Sequence, residues 1–258
     1  MFRRGVCIAL CLGSVAACSN EQKSLTPAQF YNEYAQHLCT DISPACLAPV
    51  SDCEVASVAY WRTRAAEAAA ANRIFVPSNA EECLAKVSAT FDPVRQGTVV
   101  KKADFQGEDA ACSQVFRGTS TANQVCAVDV DCLGTSICDK GRCGTAKPVA
   151  ANAGCANIGE YCPQGSYCGD SGGVLFCTAK VGLGAACSDA IPCVETLRCA
   201  GGICGPTLGT GEDCASDGDC STDFCEPFAH KCAIDVRFAN GSAACLAMGI
   251  PGATVSLP

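Results

Sequence analysis

Long apolar runs are scarce in this 258-residue chain: beyond the first 17 residues, none reaches the roughly 20 that a bilayer-crossing helix needs. Histidine is nearly absent. His37 and His230 lie far apart in sequence and no Cys-x-x-Cys pair occurs, so the usual zinc-ligand spacings are missing and no metal or cofactor is expected. Basic residues are in deficit, 18 Lys and Arg against 26 Asp and Glu, which argues against binding nucleic acid or anionic headgroups through charge. Cysteine, by contrast, is abundant: 25 residues, close to a tenth of the chain. That density signals a disulfide scaffold in an oxidising compartment, because a reducing cytosol would keep such thiols open. Export follows as an expectation.

Sixteen of the cysteines fall into four consecutive clusters. Cluster 1 (Cys126, Cys132, Cys138, Cys143) and cluster 3 (Cys187, Cys193, Cys199, Cys204) share one spacing. Cluster 2 (Cys155, Cys162, Cys168, Cys177) is stretched in its last gap, and cluster 4 (Cys214, Cys220, Cys225, Cys232) differs slightly. The period of about 30 residues reads as an array of small modules. Units of this size with few large apolar side chains cannot offset their chain entropy by burial, and two disulfides each are the obvious substitute. Four cysteines permit three pairings; first-to-third with second-to-fourth, which knots two short loops, is the expected one. Gly184 and Gly211 sit three residues before a first cysteine, Gly141 and Gly202 two before a fourth, where they supply positive φ at turns.

The N-terminus carries Arg3 and Arg4, an apolar stretch from Gly5 to Ala17, and then Cys18, which together form a secretory signal. Val15-Ala16-Ala17-Cys18 resembles the lipobox of bacterial lipoproteins. The resemblance implies cleavage after residue 17 and acylation of Cys18, and Ser19 in the next position implies outer-membrane delivery. Losing Arg3 and Arg4 with no acid would take the net charge from −8 to −10. A lipid anchor gains about 0.8 kcal/mol per buried methylene and needs no transmembrane helix.

A short polar tether, 18–25, leads into helical signals. Thr26-Pro27-Ala28-Gln29 is a capping box followed by Phe30, Tyr31, Tyr34, Ala35 and Leu38 on one face, and this helix is expected to end near Thr40. Further boxes at Ser51 to Glu54 and Ser78 to Glu81 open an alanine-rich helix to about Asn72 and a third helix bearing Leu84, Val87 and Phe91. Trp61, Tyr60 and Tyr34 read as helix core. Residues 101–109 read as irregular, 113–116 as a short strand or turn, and Asn240-Gly241 as the turn of a tail hairpin. Cys39, Cys46, Cys53, Cys83 and Cys112 are candidate staples of this bundle, with Cys245 either returning to it, pairing with Cys112, or staying free.

The expected fold is thus a small disulfide-stapled α-helical bundle followed by a disulfide-rich repeat array with short β-hairpins. The expected divisions are a signal peptide (1–17), the tether, a helical domain (26–118), cysteine repeats at 119–149, 150–182, 183–208 and 209–235, and a tail (236–258). Asp131-Cys132 and Asp219-Cys220, with the Gly-x-x-Cys entries at Gly184 and Gly211, resemble the Dickkopf N-terminal cysteine-rich repeat of myxobacterial-type surface lipoproteins. Repeats two and three depart from it with Tyr161-Cys162 and Pro192-Cys193. The resemblance implies a compact cell-surface module without catalytic residues.

One stretch speaks for chemistry. Gly169-Asp170-Ser171-Gly172-Gly173 spells the surroundings of a trypsin-like nucleophile, but the upstream histidine, His37, lies on an expected helix and too few strands surround it for two barrels. The motif sits in the stretched gap of cluster 2, where it makes a natural hairpin turn. Asp129 with Asp131 and Asp217 with Asp219 lack the twelve-residue calcium loop and read as turn acids. The leading expectation is a non-enzymatic, lipid-anchored outer-membrane protein presenting modules for protein binding or as a spacer. The alternatives are a surface hydrolase using Ser171 and a protease-inhibitor or toxin-like module.

Overall fold

A computed structural model of the chain describes residues 24–96 and 99–247. The signal segment, Cys18, most of the tether and the tail beyond Ala247 lie outside the described residues. No described helix is long and apolar enough to cross a membrane.

Helix α1 (Pro27–Cys46) starts as its capping box dictates: Gln29 N–H donates to Thr26 Oγ1 at 3.3 Å and Thr26 N–H to Gln29 Oε1 at 3.0 Å. It runs past Thr40 and through Pro44, because Ile42 and Cys46 continue the buried stripe of Phe30, Tyr34 and Leu38. A left-handed Leu47 (φ 53°) ends it, with the Ala48 N–H donating to Ser43 O at 3.1 Å. The boxes expected at the next two helices are absent. Helix α2 (Val50–Ala70) begins after Pro49 with no side-chain cap. Helix α3 (Pro77–Phe91) begins with Pro77, whose fixed φ presets the first turn, while the Asn79 amide donates to Gln114 O at 2.8 Å instead of serving the helix end. A turn of 3₁₀ helix, Asp92–Gln96, follows.

The segment expected to be irregular is helix α4 (Lys102–Cys112). Its pattern escapes recognition because a glutamate, Glu108, occupies a buried position and Gly107 interrupts the helix formers. Short strands tie the unit together: β1 (Ile74–Phe75) pairs with β3 (Phe116–Arg117), and β2 (Val100–Lys101) is paired by a later segment of the chain. The core is one continuous cluster in which Phe30, Leu38, Ile42, Val87, Phe91 and Val115 are almost wholly buried. Trp61 and Tyr34 belong to it, their rings 5.1 Å apart, while Tyr60 stays partly exposed at its edge.

The cysteine clusters have cores of a different substance. In clusters 1, 3 and 4 the buried side chains that form each core are cysteines alone. Each cluster carries one two-stranded antiparallel unit: β4 (Ile137–Asp139) with β5 (Arg142–Gly144), β8 (Ser166–Ser171) with β9 (Val174–Ala179), β10 (Leu197–Ala200) with β11 (Ile203–Pro206), and β12 (Cys225–Glu226) with β13 (Lys231–Cys232). A lead-in residue also pairs in parallel with the second cysteine or its neighbour. Ser120 meets Cys132, β6 (Lys147–Pro148) meets β7 (Glu160–Tyr161), Val181 meets Cys193 and Leu208 meets Cys220. The first three hairpins turn on two successive positive-φ residues, Lys140-Gly141, Gly172-Gly173 and Gly201-Gly202, the tight turn whose twist matches the strands.

Described tail residues return to the helical unit instead of forming a hairpin. Strand β14 (Asp235–Val236) pairs with β2, Val236 and Phe238 enter the helical core, and the Asn240-Gly241 turn opens a short helix α5 (Ala243–Ala247), whose first turn is held by Ser242 Oγ accepting the Cys245 N–H at 3.2 Å. The chain therefore leaves the helices at β3, passes through four clusters and comes back to the same core.

Candidate functional site

All 22 described cysteines are paired. In the helical unit Cys39 joins Cys53, Cys83 joins Cys112, and Cys46 joins Cys245 across 199 residues. Cys112 is thus not the partner of Cys245; it reaches Cys83 because α3 and α4 lie side by side. In the clusters the first cysteine joins the third and the second joins the fourth, as in Cys126–Cys138 with Cys132–Cys143 and Cys214–Cys225 with Cys220–Cys232. Cys155–Cys168 with Cys162–Cys177, and Cys187–Cys199 with Cys193–Cys204, complete the set. Three sulfurs of each cluster lie within 4.8 Å of one another, and covalent pairing is what this closeness serves.

Around those bonds one local geometry recurs. The residue three before each first cysteine has positive φ and donates its N–H to the carbonyl of the fourth: Asn123 to Cys143, Asn152 to Cys177, Gly184 to Cys204 and Gly211 to Cys232. Glycine spacing reveals only two of the four; the signal in the others is asparagine, which tolerates the left-handed region better than most residues. The Asp-x-Asp pairs hold backbone. Asp131 Oδ2 accepts from Ala127 N at 2.8 Å and Val128 N at 3.0 Å, while Asp129 Oδ1 accepts from Cys138 N at 2.7 Å. In cluster 4, Asp219 Oδ2 accepts from Ala215 and Ser216 N–H at 3.0 Å, and Asp217 Oδ1 from Cys225 N at 2.8 Å. Desolvation is the largest single influence on Asp131 and raises it, but the Ala127 and Val128 N–H groups together with Arg73 outweigh it, and at Asp219 the Ala215 N–H leads, so both carboxyls lie below the usual aspartate range.

The catalytic-looking motif and His37 are held by separate partners. Ser171 ends β8 at the hairpin turn, where Asp170 Oδ1 accepts the Gly173 N–H at 2.7 Å. His37 sits on α1, with its Nδ1 3.1 Å from Ser88 Oγ, in a shallow groove between α1 and α3 that also has Thr40 and Asp92 in its walls. His230 takes positive φ in the β12–β13 loop.

The clusters divide into two docked and two outer ones. Among the described residues, the hydrogen bonds and ion pairs that join a cluster to the helical unit come from clusters 1 and 4. Cluster 1 is held by Arg73 on Asp131 at 2.8 Å and by Arg117, nearly buried, which donates to Cys132 O at 2.7 Å and also to Gly134 O. Gly118 is required there: a Cβ would fall 1.9 Å from Asp131 O. Cluster 4 is held by α4. Lys102 Nζ donates to Thr222 O at 3.2 Å and pairs with Asp223 Oδ2 at 3.1 Å, Gln106 donates to Asp217 at 3.2 Å, and Phe105 packs between Phe224 and Phe228 at ring separations of 6.4 and 5.9 Å. Side-chain contacts also join neighbouring clusters. Lys140 of cluster 1 donates to three successive carbonyls of cluster 2, Cys155 at 2.9 Å, Ala156 at 3.2 Å and Asn157 at 3.0 Å. Between clusters 2 and 3, Glu195 Oε1 accepts from Gly165 N and Lys180 Nζ, both at 2.9 Å, and its carboxyl falls to about 2 in consequence.

All clusters expose some apolar side chains, Val125 and Leu133 of cluster 1 among them, but the outer clusters differ at one shared position. The residue before the fourth cysteine is Arg142 in cluster 1, where it donates to Asn123 O at 2.7 Å, and Lys231 in cluster 4, where it pairs with Asp213 at 2.6 Å. In clusters 2 and 3 the same place holds Phe176, 39 % exposed, and Ile203, 48 % exposed, opposite Gly154 and Ala186, which have too little side chain to cover them. Val174 on the same face of β9 and Leu183 at the entry of cluster 3 are also exposed. No protein-family model, curated protein or solved structure matches the chain.

Proposed function

We propose that this protein is a non-enzymatic, lipid-anchored surface protein whose four cysteine clusters are tandem copies of one module and whose two outer modules bind a protein partner. The observation that carries the reading is the division just described. At the place before the fourth cysteine clusters 1 and 4 carry a cation paired within the cluster, while clusters 2 and 3, which make no hydrogen bond or ion pair with the helical unit among the described residues, carry the uncovered Phe176 and Ile203 on a disulfide-fixed backbone. A rigid backbone lowers the ordering cost of association, and an exposed aromatic with aliphatic neighbours is the kind of group that dominates interface energetics. The shared pairing, parallel bridge and positive-φ entry support a common module, and Val15-Ala16-Ala17-Cys18 supports the anchor. Palmitate labelling tests the anchor and should vanish in Cys18→Ala. The binding reading is tested by cross-linking intact cells that display the wild type or the double variant Phe176→Asp, Ile203→Asp. Cross-linked species formed by the wild type and lost in the variant, with surface level unchanged, are expected; identical patterns would overturn it.

A further inference from the structure

Helix α4 has two faces with two tasks. One face, Lys102, Phe105 and Gln106, makes the contacts to cluster 4, and the strand just before it, β2, pairs with β14 of the returning chain. The other face seats the helix in the core through Glu108 and Cys112. Glu108 is 6 % exposed, and its Oε1 accepts from the Tyr34 hydroxyl at 3.4 Å. The same oxygen lies 3.1 Å from the Cys112 sulfur, which as half of a disulfide has no proton to give. Among the described residues an ionised carboxylate there would have one long hydrogen bond from the protein, whereas a neutral carboxyl group fits the contact.

We propose that α4 is a pH-sensitive latch: with Glu108 neutral the helix is seated and cluster 4 is held, and ionisation of Glu108 unseats the helix and loosens cluster 4 and β14 from the helical unit. The titratable groups facing Glu108 among the described residues are Tyr34 from α1, Tyr60 from α2 and Asp109 from α4 itself, with the paired Cys83 from α3. None is cationic. Burial first, and then the neighbouring Asp109, push the Glu108 carboxyl up to about 7, while the Tyr34 hydroxyl draws it down. Because this folded-state value lies above that of an unfolded glutamate, the seat is fully favoured below the ordinary glutamate range. It weakens as pH rises, and the loss is complete above about 7.

The experiment is hydrogen exchange on the intact, oxidised protein between pH 5 and 8, corrected for the intrinsic dependence of exchange on pH. The reporters are Lys102 N–H, bonded to Ile234 O across the contact between α4 and cluster 4, and the β2–β14 pair; the reference is Ser120 N–H, bonded to Asp131 O in cluster 1. The latch predicts that opening at the reporters rises by up to about tenfold per pH unit, the limit for one ionisation, while the reference stays level. Glu108→Gln should abolish the rise. Tyr34→Phe, which removes the hydroxyl that favours the ionised form, should shift its midpoint to higher pH. Equal acceleration at reporters and reference, or the same pH response in Glu108→Gln, would overturn the proposal. Should the glutamine variant not fold, an unshifted midpoint in Tyr34→Phe would overturn it alone.

Discussion

The helical unit and the cysteine clusters solve the same problem with different materials. The helices bury Phe30, Phe91, Trp61 and a set of aliphatic side chains in one continuous core, and the three disulfides there link elements already packed together. The clusters bury little besides sulfur, and their backbone is held by crossed covalent links plus carboxylates accepting from N–H groups. A side-chain core resists through burial that reduction leaves intact. A disulfide core resists by restricting the unfolded chain, so its stability ends with its bonds.

The comparison breaks most sharply on large substitutions in the two cores. Phe30→Ala empties a fully buried aromatic site and should cost about 3–5 kcal/mol, read as a lowered midpoint of helical signal in denaturant titration under oxidising conditions. Cys132→Ala with Cys143→Ala removes one link closing an 11-residue separation and should cost about 2–4 kcal/mol locally. Its signature is protease cutting confined to cluster 1 while helicity persists. If the helices melt with it, the two regions form one cooperative unit and the contrast falls. Gly118→Ala probes the seam between them. The added methyl group collides with the Asp131 carbonyl, so a cost of roughly 1–3 kcal/mol is expected together with faster exchange at Ser120, whose N–H donates to that same carbonyl just inside cluster 1.

The two regions were unequally legible in the sequence. Cysteine spacing marks the clusters because the chemistry that stabilises them is also what the letters display, but it leaves three pairings open in each, of which the structure has the one that knots two short loops. The asparagines at 123 and 152 show what spacing cannot supply: two residue types fill one backbone slot, so a search for glycine misses half its occurrences. In the helical unit, α1 and its cap follow from pattern, yet α4 does not. Its place is fixed by long-range partners, Tyr34 beneath it and Phe224 and Phe228 above, and Glu108 breaks the apolar stripe that would have announced it. The return of the tail was hidden for a similar reason. Neither the 199-residue span from Cys46 to Cys245 nor the two-residue pairing of β2 with β14 has a local signal. Nor does spacing say which clusters dock, since that depends on Arg73, Arg117 and Lys102, which look like ordinary surface cations until their partners are known.

Acid should loosen the clusters where a rise toward neutral pH loosens α4, and this is the smallest expected effect. Asp131 and Asp219 are held below the usual aspartate range in the folded chain, so their contribution is present above the unfolded value of 3.8 and is lost as pH falls through their lower folded values. Glu108 has the opposite sign, and its contribution fades as pH rises from the ordinary glutamate range to about 7. Each aspartate works like a helix N-cap, so Asp219→Ala should cost about 1 kcal/mol near neutrality. The disulfides of cluster 4 remain closed in that variant, so the expected readout is faster exchange at Ala215 and Ser216 without any new free thiol. As the pH is lowered toward 2, wild type and variant should converge, because protonation removes from one what substitution removed from the other. A constant difference across that range would mean that Asp219 supports the loop by its shape alone and that charge adds nothing to the disulfide scaffold.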